Sequence, residues 1–480
     1  MNLRGPTLHG IRWTAVENVL NVLFGIATLA ILARLLQPQH FGLMAVVAVI
    51  VGLSMVFADL GISNAVIHRQ DVDEAQLSTL YWLNVLGGVA IYLVLLALAV
   101  PLARFYGEPE LVPLVAIAGL ATVVQSLGQQ YNVLLRKELH FGLLARIGIA
   151  SRFLALVSAV GLALADFGVY ALVGSSLAGT CLATVLTVAA GWRLHRPRLQ
   201  FQPARVRHFL GFGAYQVGEG SIAYLTANLD SLLIGRLAGA EALGLYSVAK
   251  QFVTYPAQVV NPVVTRVAMP VMARLQDDIP RLRAMYLQAI GHLSSLNFPI
   301  YAAIAVFAAE ITALLFGPRW EAAVPLMRIL AIHAALRSVG TPVGSLILAR
   351  GRARLAFWWN ASLVFLTAAA MLAGAMYGPA GVAWALLLLQ VALQVPNWRL
   401  LVRPLCGAGW GEYAAAILRP AAAAAMGALA GGAVALAFPG DLTRLAAGLA
   451  VSALVTLLAY LAWNRGFLDA LRAVVLARNA

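Results

Sequence analysis

Apolar stretches of about 20 residues recur along the whole chain and are separated by short connections. A helix of this length crosses the hydrocarbon of a bilayer and hydrogen-bonds all of its own peptide groups. The composition agrees, because 62% of the 480 residues are hydrophobic and only 11% are charged. The sequence therefore predicts an all-α integral membrane protein with about 14 transmembrane helices. The predicted spans are 11–36, 40–66, 77–100, 111–134, 143–165, 170–191, 208–236, 242–272, 284–308, 322–349, 355–376, 380–401, 413–437 and 442–463.

Basic residues are distributed unevenly between the connections. The formal net charge of +14 suggests nucleic-acid binding in a soluble chain, but here it is better explained by basic loops that orient a membrane protein. We therefore expect no nucleic-acid partner. Most of the 33 basic residues lie at the termini and in every second connection, so both termini are predicted to be cytoplasmic. The exceptions in the opposite loops and span ends are Arg34, Arg104, Arg236, Arg319 and Arg444.

The chain also repeats itself. Residues 33–47 align without a gap with residues 235–249, at an offset of 202, and residues 112–128 resemble residues 324–340. Spans 1–6 and 7–12 are therefore predicted to be two copies of one unit, related by an axis along the membrane normal because each copy has an even number of spans. The pairs matched at the offset of 202 include Glu17 and Glu219, Arg34 and Arg236, and Gly42 and Gly244.

The repeat predicts the domain organisation. Two pseudo-symmetric six-helix lobes occupy residues 1–200 and 201–405, and residues 406–480 hold two extra transmembrane helices and a cytoplasmic tail. The connection 192–207, which contains five arginines and two prolines, is the predicted linker between the lobes. Two such lobes leave a cleft at mid-membrane, which is the geometry of a transporter that works by alternating access.

Polar residues form narrow stripes on several spans, and some of these residues are carboxylates. A charge facing lipid at the centre of a helix costs about 3 kcal/mol, so each stripe must face another stripe or water. The sequence predicts that the stripes form the walls of a wet central cavity. The alternative is that they lie between helices, where Ser, Asn or Arg neighbours satisfy their hydrogen bonds. These carboxylates could hold cations in place, carry protons or coordinate sodium. The candidates are Glu17, Glu219, Asp230 and Asp59.

Five basic side chains within spans are candidates for binding an anion inside the membrane. The planar fork of arginine matches phosphate oxygens, and lysine acts as a point charge, so the set suits a phosphorylated substrate. Two of the five, Arg266 near the inner interface and Arg328 near the outer one, can extend towards water and rank below the others. The candidates are Arg152, Lys250, Arg337, Arg266 and Arg328.

Few residues suggest enzymatic chemistry. The two cysteines, Cys181 and Cys406, lie in or beside apolar spans and suggest neither a disulfide framework nor a metal site, and no cofactor is predicted. Asp71 and Asp73 form a D-x-D pair, which holds a metal-bound sugar nucleotide in some glycosyltransferases. Here the pair lies in a loop of about ten residues with no soluble domain beside it, so a surface charge run is the better interpretation. The buried charges likewise disfavour a scaffold that transports nothing.

Residues 31–70 carry a family resemblance. They resemble bacterial polysaccharide flippases of the Wzx type, in the polysaccharide-transport branch of the multidrug/oligosaccharidyl-lipid/polysaccharide exporter superfamily, and are most similar to the colanic-acid and teichuronic-acid subgroup. Residues 135–141 and 168–173 also look like that subgroup. The matching residues are Leu32 to Leu36, Pro38, Phe41 to Leu43, Asp59 to Gly61 and Ala65 to Ile67.

The resemblance implies a function. Proteins of this family are similar to one another in moving an undecaprenyl-diphosphate-linked oligosaccharide from the inner to the outer leaflet of the bacterial cytoplasmic membrane. It implies membrane lipids and other polysaccharide-assembly proteins as partners, and a cationic lumen that agrees with Arg152, Lys250 and Arg337. The alternatives are a drug or peptidoglycan-precursor exporter of the same superfamily and a membrane glycosyltransferase or polymerase.

Overall fold

The computed structural model describes residues 4–58, 73–463 and 466–468, and their side chains except at 4–12, 14–15, 58, 203–216, 266 and 353. Every regular element within these ranges is helical, which confirms the predicted all-α fold. Asp59 and Asp71 lie outside the described residues. Asp73 caps the helix that follows it, because its carboxylate accepts a hydrogen bond from the backbone N–H of Gln76 at 2.6 Å. This capping role is therefore sufficient to explain the aspartate at position 73.

Contacts between residues divide the chain into two units, Met1–Ser247 and Val248–Ala480. This division lies further along the chain than the predicted lobe boundary at residue 200, and the predicted lobes stay a prediction. The first six helices, all in the first unit, are α1 (Arg4–Leu35), α2 (Pro38–Ala58), α3 (Glu74–Tyr106), α4 (Leu111–Lys137), α5 (Phe141–Leu164) and α6 (Val169–Gly191).

Two predicted spans, 208–236 and 242–272, join in one long helix. This helix, α7 (Pro203–Arg274), has 72 residues and is interrupted at Gly239, whose φ of 85° and ψ of 174° only glycine adopts readily. A straight helix of that length would measure about 108 Å, whereas the hydrocarbon of a bilayer is about 30 Å thick. The described ranges contain 13 helices long and apolar enough to span a membrane. The interruption divides one of these 13 into two crossings.

The remaining helices begin with α8 and contain two irregular spans. The predicted span 322–349 is divided near Gly340, and the span 380–401 passes through a short π-helical segment at Trp398–Val402. The helices are α8 (Ile279–Val306), α9 (Ala308–Leu315), a 3₁₀ turn (Pro318–Ala323), α10 (Val324–Val339), α11 (Thr341–Ala349), α12 (Ala353–Ala375), α13 (Gly378–Ala392), α14 (Gln394–Asn397), α15 (Arg403–Cys406), α16 (Trp410–Ala435) and α17 (Asp441–Trp463).

Small residues bring these helices close together. On α16, a Cβ at Gly427 would overlap the hydroxyl of Thr456, and one at Gly431 would overlap the hydroxyl of Ser452 and the carbonyl oxygen of Gly448. Gly427 and Gly431 are four residues apart and so share one face of the helix. Lipid is as apolar as a leucine side chain, so such close packing replaces the hydrophobic effect as the force between membrane helices.

The connection between α6 and α7 is held against the first turns of α3. The backbone N–H of Arg198 donates to the hydroxyl of Ser78 at 3.2 Å, and the N–H of Gln202 donates to the hydroxyl of Thr79 at 3.2 Å. The indole of Trp82 donates to the carbonyl oxygen of Arg198 at 3.0 Å. The predicted linker is thus an attached segment, because α3 satisfies backbone groups that have no helix of their own.

One histidine of this connection is buried. His195 is 5% exposed, and its Nε2 atom has no hydrogen-bond partner. Burial lowers the pKa of His195 below its usual 6.5, the charge of Glu74 opposes this shift, and Arg198 adds to it. A lowered pKa means that the folded segment binds fewer protons than the open one just below pH 6.5, so stability falls as the pH drops through that window.

Acidification is therefore expected to loosen the connection. Trypsin cleavage at its arginines should accelerate in wild-type protein between pH 7.5 and about pH 5.5, because protonated His195 favours the open segment. The His195→Leu variant should lose this pH dependence. The cleavage rates of the two proteins are compared at the same pH, so that the pH dependence of trypsin itself cancels. His140→Leu, at an exposed histidine, is the matched control. Equal acceleration in His195→Leu and wild type would contradict the assignment.

Candidate functional site

Glu17 on α1 lies directly against α5. A Cβ built on Gly148 would be 2.5 Å from Oε1 of Glu17, so the glycine provides the space that the carboxylate occupies. One turn further along α1, the side chain of Asn21 donates a hydrogen bond to Glu17. The Oδ1 atom of Asn21 is buried without a hydrogen-bond partner. The carboxylate is thus held in place on the polar side of the contact between α1 and α5.

Two arginines act on the same carboxylate. Arg136, at the end of α4, and Arg152, in the middle of α5, are both within electrostatic range of Glu17. Both arginine side chains are exposed in the structure, whereas Glu17 is half-buried. We call Glu17, Asn21, Arg136 and Arg152 the arginine–glutamate cluster. It offers two guanidinium groups to an incoming anion and one carboxylate that already serves as their counter-charge.

An apolar groove of about 450 Å³ runs along another side of the same pair of helices. On α5, Gly148 and Arg152 are rotated by roughly 120° about the helix axis from the residues that line the groove. Arg146 is the one charged residue of its lining, and the guanidinium of Arg146 lies over the ring of Trp13, 5.6 Å from its centre. We call it the α1–α5 groove. Its lining consists of Trp13, Val16, Leu20, Phe24, Arg146, Ile149, Ala150 and Phe153.

The two other described carboxylate candidates of the first unit differ from Glu17. Glu219, its partner in the repeat, is exposed on α7. Asp230 is only 1% exposed, and it accepts hydrogen bonds from the hydroxyl of Tyr246 and the backbone N–H of Ser231, each at 2.7 Å. The expectation that Asp230 faces a wet cavity is therefore corrected. Its carboxylate connects the two halves of α7 across the interruption at Gly239.

The candidate cations of the second unit lie on separate helices. Lys250 is half-buried on α7, and Arg337 is exposed on α10 within electrostatic range of Tyr301. Arg328 is exposed. The side chain of Arg266 lies outside those that the structure describes. The second unit therefore contributes cations that, like Arg152, are in part accessible.

Neutral polar side chains form a partly buried chain of hydrogen bonds within the second unit. Asn297 on α8 donates from Nδ2 to Oδ1 of Asn261 on α7 at 2.9 Å, and Asn261 donates to Thr341 on α11 at 3.4 Å. These contacts make Asn261 a link between helices, which was the alternative to a cavity wall. In the described part of the chain, no three His, Cys, Asp or Glu side chains come together as metal ligands.

Arg136 and Arg146 were missed by the analysis of the sequence. Arg136 lies in a basic connection and Arg146 lies near the start of the predicted span 143–165, and nothing in their local sequence distinguishes them from residues that only orient the protein. Among the predicted candidates, the structure brings Glu17 and Arg152 together. The remaining assignments to a central cavity, including Lys250 and Arg337, stay predictions.

Comparison with known proteins identifies the family. A family described as polysaccharide biosynthesis protein matches residues 31–325. The lipopolysaccharide biosynthesis protein WzxC of Escherichia coli (strain K12) is 32% identical over 424 residues, which are 88% of this chain and 86% of that protein. The teichuronic acid biosynthesis protein TuaB of Bacillus subtilis (strain 168) is 34% identical over 400 residues, 82% of each chain.

Solved structures show where the fold belongs. The lipid II flippase MurJ, in an inward closed conformation, superimposes with a TM-score of 0.75 at 12% identity and covers 94% of this chain and 99% of its own. An inward-facing multidrug resistance transporter of the MATE family superimposes with a TM-score of 0.60 at 15% identity, covering 80% of this chain and 96% of its own. The fold is therefore that of membrane transporters, and the chain belongs to the polysaccharide biosynthesis protein family, as a multi-pass membrane protein of the Wzx type.

Proposed function

We propose that this protein is a flippase that moves an undecaprenyl-diphosphate-linked oligosaccharide from the inner to the outer leaflet of the bacterial cytoplasmic membrane by alternating access. The observation that carries the proposal is the arginine–glutamate cluster within the family's fold. Arg152 lies in the middle of α5, and a charge at that position in a membrane protein is costly and normally marks the path of a substrate or ion. A diphosphate can bind several guanidinium N–H groups at once.

Binding then takes the form of an exchange of counter-charges. Without substrate, Glu17 sits on Gly148 and partly neutralises Arg136 and Arg152. A diphosphate, with more negative charge and more acceptor oxygens than one carboxylate, displaces Glu17 from both guanidinium groups. The exchange keeps both guanidinium groups paired with an anion throughout.

The lipid carrier needs an apolar site close to the cations. The α1–α5 groove borders the same helix that carries Arg152, and seven of its eight lining residues are apolar. An isoprenoid chain in this groove gains from the removal of apolar surface from the interfacial water near the helix ends, while Arg146 interacts with its phosphate end. The two sides of the α1–α5 pair together suit a molecule with an anionic head and an apolar tail.

The rival substrate is a peptidoglycan precursor, which also carries a lipid diphosphate. The fold similarity to MurJ supports a flippase for either cargo, whereas the sequence relatives in lipopolysaccharide and teichuronic acid biosynthesis favour a polysaccharide unit. The test is reconstitution in vesicles with fluorescent lipid-linked oligosaccharide in one arm and lipid II in the other. Faster movement of the oligosaccharide supports the proposal, and movement of lipid II alone contradicts it.

Neutralising the cations should impair this movement. Arg136→Ala or Arg152→Ala is expected to reduce the initial rate at least about tenfold, since a hydrogen bond to a charged group contributes about 1.5–3 kcal/mol. Lys250→Ala and Arg337→Ala should act in the same direction, and Arg152→Lys should retain part of the rate. Arg319→Ala, at an exposed arginine on the opposite predicted side, is the matched control. Normal rates in all four Ala variants would remove the electrostatic mechanism.

A second test concerns the electrostatic contact between Glu17 and Arg152. Glu17→Gln and Arg152→Gln should each lower the melting temperature in detergent, and the double variant should lose less than the two together. The expected coupling is of the order of 1 kcal/mol, because one partner is exposed and water screens the pair. Glu17→Gln combined with Arg319→Gln should be additive. Additivity in both pairs would show that Glu17 is not the counter-charge of Arg152.

The predicted orientation can be tested separately. Single cysteines placed at residues 192–202 and at Arg352 should react with a membrane-impermeant thiol reagent in inverted vesicles and stay unreactive in intact cells, because the basic loops are predicted to be cytoplasmic. A cysteine at Arg319 should give the opposite result. Labelling of the connection 192–202 from outside intact cells would reverse the topology and with it the proposed direction of movement.

A further inference from the structure

Gly42 and Gly244 are equivalent in the repeat, and each packs against the segment that contains the other. A Cβ on Gly42, in α2, would overlap the carbonyl oxygen of Ala240 in α7. A Cβ on Gly244 would overlap the carbonyl oxygen of Pro38 at the start of α2. Ala240 follows Pro38, and Gly244 follows Gly42, by the same 202 residues that define the repeat. We call these four residues the glycine clasp.

Reciprocity of this kind has a geometric meaning. In a two-fold symmetric interface, residue i of one copy contacts residue j of the other, and j contacts i in return. The glycine clasp fulfils this relation with Gly42 and Ala240 on one side and Gly244 and Pro38 on the other. The local pseudo-two-fold axis therefore passes between the two glycines, at the end of α1 and α2 that is predicted to face outwards.

The clasp is a contact of main chain against main chain. Both glycines are buried, and neither has a positive φ, so alanine would fit their backbone conformation. The space, however, is too small for the methyl group of alanine. The opposing atoms belong to backbone carbonyl groups, which cannot rotate away as a side chain can. The clasp closes only while both positions lack a side chain.

Each side of the clasp is braced from within its own segment. The backbone N–H of Gln37 donates to Nδ1 of His40 at 3.4 Å, in the turn before α2. On the other side, the hydroxyl of Tyr246 donates to Asp230, across the interruption of α7. The four clasp residues themselves carry no charged side chain. Two internally braced segments that meet through uncharged backbone can separate as rigid pieces.

We propose that the glycine clasp is the outer gate of the transport cycle: it is closed in this structure, and its two sides separate when the protein opens outwards. The proposal rests on the proposed flippase function and on the predicted orientation. A gate on the pseudo-symmetry axis is where a rotation of the two copies apart must first break contact. Because backbone contacts are short and specific, the closed form is lost as a whole when either glycine gains a methyl group.

The experiment measures opening by the reactivity of a thiol. Ala240→Cys is introduced into a chain in which Cys181 and Cys406 are replaced by Ser, since Ala240 is only 7% exposed when the clasp is closed. In intact cells, adding Gly42→Ala or Gly244→Ala should increase the rate of labelling by an impermeant maleimide about tenfold or more, by shifting the population to the open form. The same variants should lose movement of fluorescent lipid-linked oligosaccharide in vesicles.

Two controls separate a gate from damage to the fold. Gly161→Ala adds a methyl group where nothing lies within 4 Å, and it should leave labelling unchanged. A cysteine at Ala163, 5% exposed on α5, should stay protected in the Gly42→Ala and Gly244→Ala variants, because gate opening does not unfold that helix. Labelling that rises at both reporter sites would overturn the proposal, since the clasp would then be a fixed part of the fold.

The remaining outcomes are equally decisive. Unchanged labelling of Ala240→Cys in folded Gly42→Ala and Gly244→Ala proteins would overturn the gate. Selective labelling in variants that still move substrate at the wild-type rate would also overturn it, because an outer gate that cannot close must stop the cycle. Failure of wild-type protein to move lipid-linked oligosaccharide would reject the proposed function alone, because the labelling measurement needs no substrate.

Discussion

Hydrocarbon offers no hydrogen bonds to a peptide group, and this absence decides how the chain can be arranged in a membrane. Each crossing must be a helix that satisfies its own backbone, and wherever a helix is interrupted another group has to compensate. At the interruption of α7 at Gly239, a side-chain hydrogen bond from Tyr246 to Asp230 connects the two halves of the helix. Cohesion between helices then depends on close contact at small residues such as Gly427 and Gly431.

The same low dielectric constant explains how charges are distributed. Asp230 is surrounded by donors and buried, which makes it a structural carboxylate. Glu17 is half-buried between Asn21 and two arginines that remain exposed, which leaves its contacts open to exchange. These are two solutions to one problem, because a carboxylate in a membrane protein needs either permanent donors or exchangeable cations. Only the second solution suits the binding of a substrate anion.

The repeat is symmetric in its backbone and asymmetric in its chemistry. The glycine clasp preserves the two-fold relation, since backbone contact requires the same small residue in both copies. Glu17 and its partner Glu219 differ, the first resting on Gly148 and the second exposed. The offset of 202 also pairs Asp230 with Thr28, whose hydroxyl donates to the carbonyl oxygen of Phe24, one turn earlier. A shared backbone with different side chains allows one copy to brace the fold while the other carries charge.

The sequence by itself determined the helical class, the approximate positions of the spans and the family, because apolar length and short motifs are local properties of the chain. It also marked Glu17 and Arg152 as unusual, since a charge within an apolar stretch needs no structure to be noticed. Tertiary structure decided which charges meet. Arg136 and Arg146 resembled ordinary basic residues of the cytoplasmic side until packing placed Arg136 near Glu17 and Arg146 on the α1–α5 groove. Asp230 resembled a cavity residue until Tyr246, 16 residues away, was brought against it. Contacts across helices depend on the rotation and spacing of several elements at once, and one-dimensional periodicity specifies neither.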